Sequence, residues 1–323
     1  MKAILVFEPG GPEQLHCADV PVPTPGPGQA LVKLRAIGVN FIDIYFRTGL
    51  YKSDIPISIG MEGAGVVESV GPDVTELAPG DRVAYAMARG SYAEYHAVPA
   101  WQLVKLPNAV DYQAAAAAML QGMTAHYLTH STFPLKLGDT ALIHAAAGGA
   151  GLLLVQMAKM RGARVIGTTS TPEKAALARQ AGADEMILYT KQDFESEVKN
   201  LTDGRGVDVV YDSVGVATFE KSLNCLRPRG MMVTFGNASG PVPPTPPLVL
   251  SQKGSLFLTR PTLANYTSTR EELLSRANDV LNWVASGRLN IRVHKTYSLS
   301  GAPQAHIDLA ARLTSGKLLL IPS

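Results

Sequence analysis

The run TALIHAAAGGAG (residues 140–151) decides the fold. Ala141, Leu142 and Ile143 read as a strand. They lead through small residues to Gly148, Gly149 and Gly151, then directly into an apolar helix from Leu152 to Met160. In this order of strand, turn and helix, a glycine pattern points to a dinucleotide. Small residues let the backbone approach a pyrophosphate, and the N–H groups of the first helical turn, around Gly148, Gly149 and Ala150, bind the anion. The pattern departs from G-x-G-x-x-G at its first position, where Ala146 stands. A tight strand-to-helix turn without a ligand would read the same way, so the rest of the chain must carry part of the argument.

Working outward, strands and helices alternate from about residue 123. Strands are expected at 140–145, 164–168, 185–189, 207–212 and 230–235, with helices at 150–161, 172–181, 192–201 and 216–226 between them. Such alternation predicts a doubly wound parallel sheet with ligands at the C-terminal ends of its strands. The Pro-rich stretch 240–247 is a stiff surface loop, and 255–259 a last, apolar strand. Residues 1–122 read instead as short strands (30–36, 62–70, 81–86, 91–98) broken by Pro/Gly turns at 23–28 and 78–83, an irregular β-rich domain. The tail, 263–323, holds a helix over 270–286 and returns to β-type sequence at Tyr297, so it is expected to rejoin the first domain. The fold class is therefore α/β, with domains 1–122 plus 263–323, and 123–262.

With 323 residues there is room for both domains and their cores. Charged residues are 17% and hydrophobic ones 46%, which excludes a disordered chain. A net charge of +2 gives no electrostatic reason for a nucleic-acid or membrane partner. Cys17 and Cys225 form neither a disulfide framework nor a CxxC metal pair. No signal peptide or spanning segment is read, and a reducing, cytoplasmic setting is expected.

The end of the second strand separates NAD from NADP. An NAD site places Asp or Glu about 20 residues after the glycines, where it accepts from the ribose 2′-OH. Here the strand ends in Thr168-Thr169-Ser170-Thr171, followed by Lys174. With no carboxylate to repel a 2′-phosphate, Ser170 to donate and Lys174 to neutralise, NADPH is the expected cofactor. A turn for Ser170 and a solvated helix face for Lys174 are the ordinary alternatives.

Several blocks together carry a family resemblance: GVNFIDIYFRTGLY (38–51), GMEGAGVVESVG (60–71), GDRVAY (80–85), HAAAGGAG (144–151), STPEKAALARQAGAD (170–184), VDVVYDSVG (207–215), LRPRGMMVTFGNASG (226–240) and QKGSLFLTRP (252–261). The chain resembles the zinc-independent NADPH:quinone oxidoreductases of the zeta-crystallin type, within the medium-chain dehydrogenase/reductase superfamily. That resemblance implies a Rossmann domain and a GroES-like catalytic domain. Where zinc-dependent relatives carry a Cys and a His, this chain has Asn40 and Met61, poor zinc ligands, and 87–94 lacks the cysteines of a structural zinc. No metal is expected. Without a Lewis acid, an electron-poor quinone suits the site, and an enone or 2-alkenal is the alternative acceptor.

The resemblance places Asn40, Asp43, Tyr45 and Tyr51 along the nicotinamide and substrate pocket, with Gln121 near the third ligand position of the zinc enzymes. Asn40 and Tyr51 are expected to donate to the acceptor oxygen. Turn or cap chemistry is the alternative for Asn40 and Asp43, and partial burial that for the tyrosines. The resemblance also puts Thr124, Tyr127, Tyr189, Ser213, Phe235, Gly236 and Arg312 near the cofactor. His126, His130 and His144 show no base-and-nucleophile arrangement and are taken as structural. Relatives that serve as lens proteins or bind AU-rich RNA supply a distant alternative role. A homodimer is expected from the apolar edge strand 255–259.

Overall fold

The structure is a computed structural model that describes residues 1–322. It comprises two compact units, Thr124–Asn265 on the one hand, and Met1–Met123 with the chain from Tyr266 onward on the other.

In the unit Thr124–Asn265, strands Thr140–Ile143, Arg164–Thr169, Glu185–Leu188, Val207–Asp212, Leu226–Thr234 and Phe257–Thr259 form one parallel sheet. Counted along the chain, their order across the sheet is 3-2-1-4-5-6. The winding therefore reverses between Thr140–Ile143 and Val207–Asp212, where Ala141 pairs with Val209 and Ile143 with Tyr211. Every residue of these two strands is buried, so apolar side chains lie on both faces of the sheet rather than on one. Helix Pro172–Gln180 starts where Thr171 Oγ1 accepts from the Lys174 amide, with Pro172 in the first turn. Helix Phe194–Leu201 starts where Asp193 accepts from the Ser196 amide.

Several boundaries differ from the sequence reading. The first strand stops at Ile143, and residues 144–147 form a turn with Ala145 at φ 51°. The helix expected at 216–226 spans only Phe219–Asn224, and the strand expected from 230 already begins at Leu226. Asp212 accounts for the late start of helix Phe219–Asn224. Its carboxylate accepts from the amides of Val214 and Gly215 and from the Thr218 hydroxyl, which holds that segment as a loop.

The other unit is built on a sheet ordered Val293–Ser298, Lys317–Ile321, Gln29–Val39, Glu62–Val70, Arg82–Ala86 and Val104–Lys105, with Tyr95–Pro99 also paired to Gln29–Val39. A small sheet of His16–Asp19, Lys2–Val6 and Ile57–Ser58 completes it. Ile4, Val32, Ile37, Val67, Tyr85 and Leu318 belong to one buried cluster. The tail strand lies inside the sheet, antiparallel to Gln29–Val39, with Leu318 opposite Val39. On the other side Gly63 lies opposite Ile37. These two registers bring Lys317 and Glu62 to the end of the strand that Asn40 follows.

Candidate active site and nucleotide cradle

Asn40 starts a helix, Phe41–Arg47, that the sequence reading missed. The Asp43 amide donates to the Asn40 backbone carbonyl at 3.1 Å, and Asp43 Oδ2 receives the Asn40 amide at 2.8 Å, so the Asp43 side chain closes the helix start. The turn-and-cap alternative thus describes part of what both residues do. Asn40 is also the hub of a buried polar cluster. Its Oδ1 accepts from Lys317 Nζ at 2.7 Å and from Gln121 Nε2 at 3.2 Å, and its Nδ2 donates to Glu62 Oε2 at 3.0 Å and more weakly to Gly38 O at 3.4 Å. Both amide hydrogens are engaged, so the expectation that Asn40 donates to a substrate oxygen is corrected: its amide serves the cluster.

Lys317 Nζ lies 3.1 Å from Glu62 Oε1, both side chains 0–1% exposed, an ion pair rather than an aligned hydrogen bond. Burial pushes the Glu62 carboxyl up and the Lys317 ammonium down, and their mutual attraction opposes both shifts. Glycine at position 38 makes room for this pair, since a Cβ there would lie 2.4 Å from Glu62 Oε1.

Asp43 belongs to a second chain of contacts. Arg47 Nη1 lies 3.2 Å from His306 Nδ1, His306 Nε2 lies 3.0 Å from Tyr92 Oη, and Tyr92 Oη lies 3.0 Å from Asp43 Oδ2. Arginine can only donate, so His306 is neutral with its proton on Nε2, and each hydroxyl and ring nitrogen passes its hydrogen toward Asp43. Burial holds His306 down to about 3 and pushes Asp43 up to about 7. Asp43 is fully buried and its Oδ1 has no partner. Tyr45 is buried, with its ring against Tyr51 at 5.3 Å, and Tyr51 also packs edge-on against Phe46. Gln121 is half-buried, and its Oε1 has no partner. The sequence reading missed Glu62, Tyr92, His306 and Lys317. A charged residue opening the apolar strand KLLLI was the one signal for Lys317.

This donor set does not fit zinc. Among the described residues no three His, Cys, Asp or Glu side chains converge as a metal requires. Met61 is buried, and the ammonium of Lys317 already binds the carboxylate and amide oxygen a cation would use.

In the unit Thr124–Asn265 the predicted glycines stand at a turn and the helix start that follows it. Helix Gly149–Met160 begins at extended Gly148 with no side chain capping it, so nothing occupies the amides of its first turn around Ala150. A Cβ at Gly151 would lie 2.2 Å from Ala145 O, so the helix approaches the turn as closely as glycine allows. At the second strand end, Ser170 and Lys174 are half-buried, and Thr190 Oγ1 donates to Ser170 O at 2.8 Å. This ties the neighbouring strand end, with Tyr189 44% exposed, to the same corner. The cap of the following helix is Thr171, not Ser170. Glu173, in that helix's first turn, is exposed and held below its usual range by the local backbone and Thr171.

At the later strand ends, Gly236 packs on Ser213, whose carbonyl oxygen a Cβ would meet at 2.4 Å, and Phe235 is half-buried. His144 donates from Nε2 to Ser222 Oγ, which itself donates to Thr218 O, and accepts at Nδ1 from Thr168 Oγ1. It is a buried tie between strand Arg164–Thr169 and helix Phe219–Asn224. His126 and His130 stack at 4.4 Å. Thr124 is half-buried and Tyr127 only 1% exposed, which places the latter in the core. Arg312 is exposed beyond helix Ala302–Ala310, at φ 57°.

Residues 149–282 match the family model of the zinc-binding dehydrogenases, and residues 26–108 that of the alcohol dehydrogenase GroES-like domain. The chain is 49% identical over 315 residues to a quinone oxidoreductase of Pseudomonas aeruginosa, covering 97% of each protein. It is 44% identical over 330 residues to a 2-haloacrylate reductase of a Burkholderia species, covering all of this chain and 99% of the other. The solved quinone oxidoreductase of Escherichia coli in complex with NADPH superposes with a TM-score of 0.98 at 43% identity, over the whole of both chains. With full-length identity at this level and a cluster built around an ammonium instead of a metal, the chain belongs to the zinc-independent quinone oxidoreductase family of the medium-chain dehydrogenase/reductase superfamily.

Proposed function

We propose that this protein is an NADPH-dependent quinone oxidoreductase. The observation that carries the reading is the end of strand Arg164–Thr169. It presents Ser170 and half-buried Lys174 with no inward carboxylate, while the neighbouring helix start leaves its first amides uncapped. NADPH fits that donor set, and the NADPH complex of the E. coli relative supports the fit. Bound there, the cofactor supplies a hydride to the acceptor.

The chain supplies the rest. The amides around Gly148, Gly149 and Ala150 take the pyrophosphate. Ser170, Lys174 and Tyr189 take the adenosine end, and Ser213, Phe235, Gly236, Thr124 and Arg312 are proposed along the remainder of the cofactor. In the other unit Tyr45, Tyr51 and Gln121 shape the acceptor pocket, with Asn40 and Asp43 behind them. A quinone is already electron-poor, so it accepts hydride without a Lewis acid, and hydrogen-bond donors suffice for the charge that grows on its oxygen. An activated alkene is the second reading, favoured by the 44% identity to the 2-haloacrylate reductase.

Two further readings accompany this. Strand Phe257–Thr259 pairs on one side only, and Phe257 is 57% exposed, which supports a homodimer through that edge. No helix among the described residues is long and apolar enough to cross a membrane, and both cysteines are free thiols, which supports a reducing, cytoplasmic setting.

The test is cofactor choice. Loss of one charge-assisted contact weakens binding by ~1.5–3 kcal/mol, or roughly 10- to 150-fold. Lys174→Ala should therefore weaken NADPH by that factor and leave NADH nearly unchanged in fluorescence titrations. Equal losses for both cofactors overturn the assignment.

A further inference from the structure

The buried cluster around Asn40 has a direction, and that direction fixes what Gln121 can offer. The Lys317 ammonium has only hydrogens to give, and the Glu62 carboxylate has only lone pairs. Asn40 lies between them, so its amide is pinned, with Oδ1 toward Lys317 at 2.7 Å and Nδ2 toward Glu62 Oε2 at 3.0 Å. From a pinned Oδ1, Gln121 can receive nothing. It must give, and its Nε2 lies 3.2 Å away. The charge pair thus sets the orientation of the Gln121 amide through Asn40, although Lys317 itself is only 2% exposed.

Once this is set, Asn40 has no hydrogen left, its second one leaning on Gly38 O. Gln121 is the half-buried end of the chain. One Nε2 hydrogen goes to Asn40, the other meets no hydrogen-bond acceptor among the described residues, and Oε1 is a buried acceptor without a partner. A side chain so held keeps one N–H for an arriving acceptor oxygen, while its Oε1 is buried.

We propose that Lys317 is a positioning residue for the reduction: paired with Glu62 and acting through Asn40, it holds the Gln121 amide so that its free N–H meets the acceptor oxygen. This rests on the quinone reductase reading. Reduction adds a hydride from NADPH and a proton to the quinone. Gln121 stabilises the oxygen and donates no proton irreversibly, so the proton comes from solvent.

The experiment uses the full chain with NADPH and a para-quinone. The charge-balanced Lys317→Met/Glu62→Gln variant removes the pinning without stranding a buried charge. It should slow single-turnover quinone reduction by roughly 10- to 100-fold, with NADPH affinity unchanged. Gln121→Leu should lose as much, and combining all three changes should cost little more. With selective ¹⁵N-glutamine labelling, the Gln121 side-chain signal should exchange with water faster in the charge-balanced variant than in the parent. A rate within twofold of the parent, or losses that multiply fully, overturns the proposal.

Should the charge-balanced variant not fold, Gln121→Glu decides instead, since position 121 is half-buried. A carboxylate there gives Asn40 no hydrogen until it is protonated. The ratio of its rate to that of the parent should rise as pH falls, and a flat ratio overturns the proposal. A parent that reduces no quinone removes the functional reading, while the exchange comparison still decides whether Lys317 holds Gln121.

Discussion

Asp43 shows how the setting of one carboxyl is set by groups far away in sequence. It accepts from the Asn40 amide and the Tyr92 hydroxyl, both of which favour the anion, yet complete burial outweighs them and pushes it up to about 7. The sign for stability follows. Between the ordinary value of 3.8 and about 7 the native state keeps a proton that the unfolded chain releases. The stabilising contribution is therefore complete below the lower value and is lost as pH rises through the upper one. Asp43→Asn keeps an acceptor for both donors and cannot titrate. Chemical unfolding from pH 4 to 7 should show the stability of the parent falling relative to this variant by up to about 1.4 kcal/mol per pH unit. Parallel curves would mean that Asp43 is ionised throughout. Asn40 and Asp43 were singled out from the sequence because the resemblance lies in one continuous block. Lys317 was not, because it meets Asn40 across 277 residues and spacing carries no signal at that range. Tyr92 and His306, 214 residues apart, were missed for the same reason.

Among the elements, helix Gly149–Met160 was legible to within a residue, because the glycines that start it are also those that let it approach the turn. Gly151 tests this. In an ordinary helix, Gly→Ala gains about 1 kcal/mol. Here the new Cβ would sit 2.2 Å from Ala145 O and 2.9 Å from Ala146 backbone atoms, which no side-chain rotation relieves. Displacing backbone in a packed region costs about 1–3 kcal/mol, so the clash should win. Gly151→Ala is expected to lower the thermal midpoint and to weaken NADPH as the first-turn amides move. A variant with raised stability and unchanged affinity would show that the approach is looser. Helix Phe41–Arg47 was not legible. Its sequence FIDIYFR is aromatic and β-branched, of modest helix propensity, and it exists because the Asp43 carboxylate on the Asn40 amide and the surrounding core start and hold it. The shortened helix Phe219–Asn224 was misread for a related reason, since the loop bonds to Asp212 compete with helix hydrogen bonds and leave no mark in hydrophobic periodicity.

For the whole molecule, alternation of strands and helices was enough to read the parallel sheet. The return of the tail was legible only as β-type sequence. That it would fill the interior of a sheet, with Lys317–Ile321 flanked on both sides, depends on pairings that sequence pattern does not encode. The opposite situation holds at Phe257–Thr259. This strand is three residues long, pairs only with Leu226–Thr234, and leaves Phe257 57% and Leu258 37% exposed. An apolar edge of this kind is usually blunted by charge, by proline or by cover, and neither Phe257 nor Leu258 supplies a charge. The Pro-rich stretch that follows Gly240 is the competing cover. If a second copy pairs there instead, sedimentation at micromolar concentration should find about twice the 34.3 kDa of one chain. Phe257→Lys places a charge on the edge without touching the buried face, so it should shift the protein to one-chain mass while its circular dichroism stays the same. A parent that sediments as a single chain would mean that the loop already covers this edge.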